Sequence, residues 1–204
     1  MTENKIIHYK SIPGDTTSLS NNSVRSVFRD SNGNLWVGTN GGLNLFNPIT
    51  QTFKRLNMAS AFRKEKTQDG TKTKKVEDTY IYCINEVKKG ELLIGTSGDG
   101  LLKFNISTQV FTNYHNNPND SISITNNLIS CIHKDKKGHI WVGTLGGGLN
   151  KMIEEQGKIS FRSFTTYDGL SNNVIYGILE DKQEIMKEEL KDIEALNRLN
   201  QRYQ

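Results

Sequence analysis

Short apolar runs recur along the chain, each bounded by Gly, Asn, Asp or Lys turns. Four of them are β-branched: Val24-Arg-Ser-Val27, Ile81-Tyr-Cys-Ile84, Ile129-Ser-Cys-Ile132 and Ile175-Tyr-Gly-Ile178. After the first three comes a Gly hairpin signal (Ser31-Asn-Gly33, Lys88-Lys-Gly90, Lys136-Lys-Gly138) and a second run ending in Gly-Thr. Runs of this length between turn residues predict strands. A third strand is predicted after each Gly-rich turn, at Asn40-Gly-Gly-Leu43, Gly98-Asp-Gly-Leu101 and Gly146-Gly-Gly-Leu149, where a tight turn demands positive φ. A fourth carries an aromatic residue: Phe53, Phe111, and either Phe161 or Phe164. The end of the chain follows another rule. Glu184 to Gln204 holds no Gly or Pro, and Met186, Leu190, Ile193, Leu196, Leu199 and Tyr203 recur at steps of 4, 3, 3, 3 and 4, which predicts an amphipathic helix.

Three segments superimpose without gaps: Asn34-Leu-Trp-Val-Gly-Thr39, Glu91-Leu-Leu-Ile-Gly-Thr96 and His139-Ile-Trp-Val-Gly-Thr144. The equivalent Trp36, Leu93 and Trp141 are 57 and 48 residues apart, and the longer interval contains an insertion over 58–77. Four short strands in a unit of about 45 residues is the spacing of a propeller blade. The expected fold is therefore all-β: a partial β-propeller of about three four-stranded blades over 1–182, followed by a helical tail over 183–204. Ile6-Ile-His-Tyr9 reads as the last strand of a preceding blade, and Val174 to Glu180 as the first strand of a following one. Because a blade buries both faces against its neighbours, Trp36 and Trp141 are expected to pack between blades. Cys83 and Cys131 share a column with Ser26 and Gly177, so a crowded position that admits small side chains accounts for them better than a disulfide.

With 204 residues, 34% of them hydrophobic and 24% charged, the chain fits one domain plus an appendage. Much of the net charge of +4 sits in the insertion, where Arg63, Lys64, Lys66, Lys72, Lys74 and Lys75 outnumber Glu65, Asp69 and Glu77. That loop has no aromatic interleaving and reads as solvated, not as a nucleic-acid contact. No run reaches the roughly 18 apolar residues of a membrane span, and the N-terminus lacks a secretory apolar stretch; read literally, the chain stays in the cytoplasm. His8, His115, His133 and His139 are scattered without metal-ligand spacing. Gly146-Gly-Gly148 lacks the strand-to-helix setting of a phosphate cradle, and Asp30 and Asp135 lie beside hairpins, as turn residues do. No enzyme, cofactor or metal is expected. Ligand candidates are the paired asparagines on the face carrying the blade connections, Asn21 and Asn22, Asn126 and Asn127, Asn172 and Asn173, along with the basic loop.

The ordered string Leu19-Ser-Asn-Asn22, Val24-Arg-Ser-Val27, Asp30, Gly33, Leu35-Trp-Val-Gly-Thr39 and Gly42-Leu43 resembles the two-component regulator propeller repeat. A second copy runs Ile124-Thr-Asn-Asn127, Ile129-Ser-Cys-Ile132, Asp135, Gly138, Ile140-Trp-Val-Gly-Thr144 and Gly148-Leu149. A partial one begins at Asp168-Gly-Leu-Ser-Asn-Asn173. The middle copy departs from the pattern, with Thr79 for the second Asn, Val87 for the Asp and Leu93 for the Trp. The resemblance implies the extracytoplasmic sensor of a bacterial hybrid two-component histidine kinase, which binds breakdown products of complex carbohydrates. It also implies an oligosaccharide as partner. The shortage of blades suggests either a fragment of a longer ring or a homodimer that completes one. Competing readings are a protein-interaction scaffold using the basic loop or the C-terminal helix, and a propeller lyase, for which the required cluster of His and acid residues is missing.

Overall fold

The computed structural model describes residues 6–58, 65–67, 70–72 and 79–180. Three four-stranded antiparallel meanders follow one another. The first is β1 (Val24–Arg29), β2 (Leu35–Thr39), β3 (Gly42–Asn47) and β4 (Thr52–Arg55). A short hairpin of β5 (Glu65–Thr67) and β6 (Gly70–Lys72) lies in the insertion. The second sheet is β7 (Ile81–Lys88), β8 (Glu91–Thr96), β9 (Leu101–Asn105) and β10 (Val110–Tyr114). The third is β11 (Ile129–Lys134), β12 (Ile140–Thr144), β13 (Leu149–Glu155) and β14 (Lys158–Phe164). The hairpin glycines Gly33, Gly90 and Gly138 take φ of 86°, 81° and 86°, in the region that side chains other than glycine resist. Phe53 pairs with Phe46, Phe111 with Phe104 and Phe161 with Met152, so Phe161 and not Phe164 is the third member of the aromatic column.

The sheets stack face to face with their first strands side by side, which is the blade arrangement of a propeller. One contact recurs at every junction. A Cβ added to Gly38 would lie 2.5 Å from Ile81 Cγ2, and one added to Gly95 or Gly143 would lie 2.7 Å from the Cγ2 of Ile129 or Ile175. Each blade thus receives, on the bare backbone of its second strand, the isoleucine that opens the next blade. Around the first such contact Trp36, 1% exposed, joins Ile81, Ile84, Leu92, Ile94 and Phe104, meeting the Phe104 ring edge-on at 5.8 Å. Trp141 packs with Leu149, Phe164, Leu170 and Ile175 at the third.

Both tryptophans are tied to their own hairpins. Trp36 Nε1 donates to Asp30 Oδ2 and Trp141 Nε1 to Asp135 Oδ2, each at 2.9 Å. In the middle blade Val87 and Leu93 stand in these two places and share one apolar cluster, so the polar pair has been exchanged as a unit. One layer away a buried polar side chain is also replaced in the middle blade. Asn44 and Asn150 are fully buried, bonded to Ser20 and Thr125 respectively, while the equivalent Leu102 is buried among hydrophobic neighbours. At the opposite end, a side chain in one column closes each junction: Glu86 accepts from Ser31 N at 2.7 Å, Lys134 Nζ donates to Val87 O at 2.7 Å, and Glu180 accepts from Lys136 N at 3.1 Å.

The two stray end strands differ from expectation. Residues 6–10 form no strand, yet Tyr9 meets the rings of Phe46 and Phe53 at 5.1 and 5.6 Å, much as Tyr114 meets Phe161 at 6.0 Å. In the other segment only Val174 bridges, to Leu145, although Ile175 is 4% exposed. Both segments keep their packing against a blade face, but no described strand runs beside them to form a ladder. The open face of the first blade shows the same shortage: Val27 is 60% exposed where its equivalent Ile84 is 6% exposed. The helix expected over 183–204 lies outside the described residues, as do the side chains of the basic insertion from 59 to 78.

The hairpin carboxylates make stability depend on acid. Burial alone would raise the Asp30 and Asp135 pKa values, but the bonds from Trp36 and Asn34, and from Trp141 and His139, outweigh it and hold both below the ordinary 3.8. A depressed carboxylate stabilises the fold above its unfolded pKa and loses that contribution as pH falls through the folded value. Denaturant midpoints should therefore fall below about pH 4. Asp135→Asn should lower the midpoint at pH 6 and flatten this acid decline; an unchanged decline would contradict the assignment.

Candidate functional site

The six asparagines singled out by sequence occupy one face, where they hold the chain. Asn21, Asn126 and Asn172 each accept from the amide two residues on, Ser23, Leu128 and Val174, at 2.8 Å, closing the turn into a first strand. Asn22, Asn127 and Asn173 reach back to the preceding loop and accept from the amides of Ser11, Asn116 and Thr166 at 2.7, 2.7 and 2.8 Å. Every carboxamide oxygen of the set is thus engaged with backbone. This explains why the pair recurs before β1, before β11 and at 172–173, and it gives their oxygens a structural task.

A cleft of about 390 Å³ opens beside the second and third blades, walled by Tyr114, Phe161, Ile159 and Ile122 and by the 115–124 loop. Its polar groups are largely used within that loop: Asn117 and Asp120 accept from Asn119 N and Ile122 N, and Asn116 Nδ2 donates to Ile124 O. Asn113 Oδ1, in the wall, has no hydrogen-bond partner among the described residues.

A more selective arrangement lies on the first strands. In the β1–β2 ladder Val24 faces Thr39 and Ser26 faces Gly38, so Arg25 is an extra residue with no opposite number. The register shifts at the same place in the other two blades, between Ile81 and Cys83 and between Ile129 and Cys131, and there expels Tyr82 and Ser130. A bulge leaves one residue outside the ladder and re-aims its side chain, and bulges are over-represented at sheet edges, where these three strands lie, as well as at barrel rims and beside active sites. Tyr176 is the next member of this column. Here the repeat abandons its rule: Arg, Tyr, Ser and Tyr stand in a strand whose flanking positions are β-branched or small. Arg25 is exposed, Tyr176 is 82% exposed, and Tyr82 and Ser130 are half-buried. Arg25 Nε donates to Asn40 Oδ1 at 2.9 Å, and its guanidinium carbon stands 5.9 Å from the centre of the Tyr82 ring. Ser130 Oγ donates to Ile175 O.

Sequence reasoning passed over this column because its residues were read only as members of β-branched strands. The signal was present as an unlike column inside a repeated frame. The bulge itself is a backbone register and could not be read from residue types.

Among the described residues no group of His, Cys, Asp or Glu could hold a metal. Burial pushes the Cys83 and Cys131 thiols up, away from the thiolate form that reacts. No helix among the described residues is long and apolar enough to cross a membrane.

Two segments, 18–41 and 123–146, match the family model of the two component regulator propeller. No curated protein matches the chain. Among solved structures, the chain is similar to the extracellular domain of the hybrid two component system BT3049 from B. thetaiotaomicron, with 22% identity and a TM-score of 0.57 over 75% of this chain and 19% of that one. It is also similar to the extracellular domain of the hybrid two component system BT4673 from the same organism, with 20% identity and a TM-score of 0.60 over 81% of this chain and 20% of that one. The chain thus spans about a fifth of the length of these structures, and at such identity the likeness establishes the propeller fold alone.

The asparagine network carries a stability prediction. Asn127→Ala removes the acceptor that ties the loop at Asn116 to the third blade. It should cost about 1 kcal/mol in denaturant unfolding, and Asn127→Asp should restore most of the loss; an Ala variant as stable as the parent would show that the tie contributes nothing.

Proposed function

We propose that this chain, which carries two-component regulator propeller repeats, forms part of a sensory propeller that binds a glycan-derived ligand and does not transform it. The observation that carries this reading is the bulged column. Three blades built on one template each expel a residue at the same place, and the expelled residues are the ones that differ. A ligand lying across several blades touches each differently, so a binding surface needs unlike residues on a repeated frame. The exposed Tyr176 ring and the half-buried Tyr82 ring offer the flat apolar faces that sugars stack on, and Arg25, Asn40 and Ser130 supply polar groups around them.

Support for the signalling role is the similarity to extracellular domains of hybrid two component systems, whose names attach them to such pathways. In this reading the blades present the ligand surface, and a kinase coupled to the propeller receives the signal. The repeated asparagines already give their carboxamide oxygens to backbone amides, which favours the positions that differ between blades as the source of binding energy.

A thermal-shift screen against acidic and neutral oligosaccharides tests the proposal. Ligand at a hundred times its Kd stabilises the folded state by about 2.7 kcal/mol, which moves Tm by several degrees. The expected outcome is a shift with at least one saccharide that disappears in Tyr82→Ala, whose Tm without ligand stays near that of the parent. If no saccharide shifts Tm, the sensory reading fails.

A further inference from the structure

The bulged column holds one cation. Its other members are Tyr82, Ser130 and Tyr176. Arg25 is held from two sides, by the Nε bond to Asn40 and by the Tyr82 ring that faces its guanidinium. Among the described residues no carboxylate pairs with it, and no acceptor takes its Nη1 or Nη2. A guanidinium anchored through Nε and an aromatic face presents its remaining donors as a pre-oriented fork, which matches two oxygens of one oxyanion. Holding the fork in advance lowers the conformational cost of using it.

We infer that Arg25 recognises an oxyanion carried on a sugar ring, a carboxylate or a sulfate, and that the ring lies along the Tyr82 side of the column. This rests on the sensory reading above and narrows it from saccharides in general to charged ones. The bulge is what makes the geometry available. In a regular ladder residue 25 would pair with a residue of β2; the extra residue in β1 leaves Arg25 without an opposite number, and its guanidinium stands beside the ring expelled by the next blade. Arg25 and Tyr82 belong to different blades, so the pair also spans the junction that Gly38 and Ile81 close. A ligand bridging them would contact two blades at once.

The test is titration calorimetry of the full chain with glucuronic acid, glucose 6-sulfate and glucose, each at low and high salt. At least one charged probe is expected to bind about tenfold or more tighter than glucose, with the advantage reduced by salt. Arg25→Gln should remove that advantage, bringing the charged probe to the level of glucose, while Arg25→Lys, which keeps the charge and loses the fork, should retain only part of it. The Tm of both variants without ligand is expected near that of the parent, which separates lost recognition from lost folding. Preference for the carboxylate or for the sulfate identifies which oxyanion is read.

Glucose binding as tightly as both charged probes would overturn the inference, as would a charged-probe affinity that survives Arg25→Gln. If neutral oligosaccharides stabilise the chain through Tyr82 while the charged probes gain nothing from Arg25, the inference fails and the sensory reading stands. No binding by any saccharide, charged or neutral, removes both.

Discussion

At both junctions between neighbouring sheets a glycine of one second strand accepts the isoleucine that opens the next blade, Gly38 taking Ile81 and Gly95 taking Ile129, and Gly143 takes Ile175 of the segment after the third sheet in the same way. The contact sets how close two blades can come, because any side chain at the glycine would occupy the space of the incoming methyl. It also explains why so little else has to be repeated. Once the backbones meet at that distance, the large residues around it, Trp36 in one junction and Trp141 in another, fill what remains. Close packing of this kind tolerates exchange of whole partner sets better than change in one member.

The middle blade shows that tolerance. Its Val87 and Leu93 replace the Asp–Trp pair together, and Leu102 stands where the other two blades bury an Asn. Either polar member left alone would be a buried group without its bond, at a cost of about 1–3 kcal/mol, whereas exchange of both is close to neutral. The glycine and the isoleucine were kept through these changes: Gly95 and Ile129 stand in the same relation as in the flanking junctions.

Most of this architecture could be read from residues. The Gly-Thr runs, the hairpin glycines and the tryptophans located the three sheets and their packing faces, since period-two patterning and turn chemistry are local properties. Cys83 and Cys131 are free thiols, and Ser26, Cys83 and Cys131 each sit opposite a glycine, Gly38, Gly95 and Gly143, while the fourth member of the column, Gly177, has open space around it, so crowding does not account for the whole column. What local pattern cannot supply is the partner of a strand. Ile6 to Tyr9 and Val174 to Glu180 have strand-like sequences, yet a ladder needs a neighbour, and none of the described strands lies beside them. The site was less legible. Asn22 and Asn127 stood out by recurring, and their recurrence proved to be structural; Arg25 and Tyr82 were hidden in strands that looked uniform, because a bulge leaves no mark on composition.

The scaffold and the proposed binding surface lie in the same short strands, one residue apart: Gly38, Gly95 and Gly143 face the residues that follow the expelled ones, and the expelled residues differ from blade to blade. The claim beneath this is that the glycine–isoleucine contact limits the approach of the blades. A double-mutant cycle at Gly38 and Ile81, read by denaturant unfolding, tests it most directly. Gly38→Ala alone should destabilise by about 1–3 kcal/mol through overpacking, and Ile81→Ala by about 2–5 kcal/mol through the cavity it leaves. Combined, they should cost less than the sum of the two by more than 1 kcal/mol, since the new methyl enters the vacated space. Strict additivity would contradict the account.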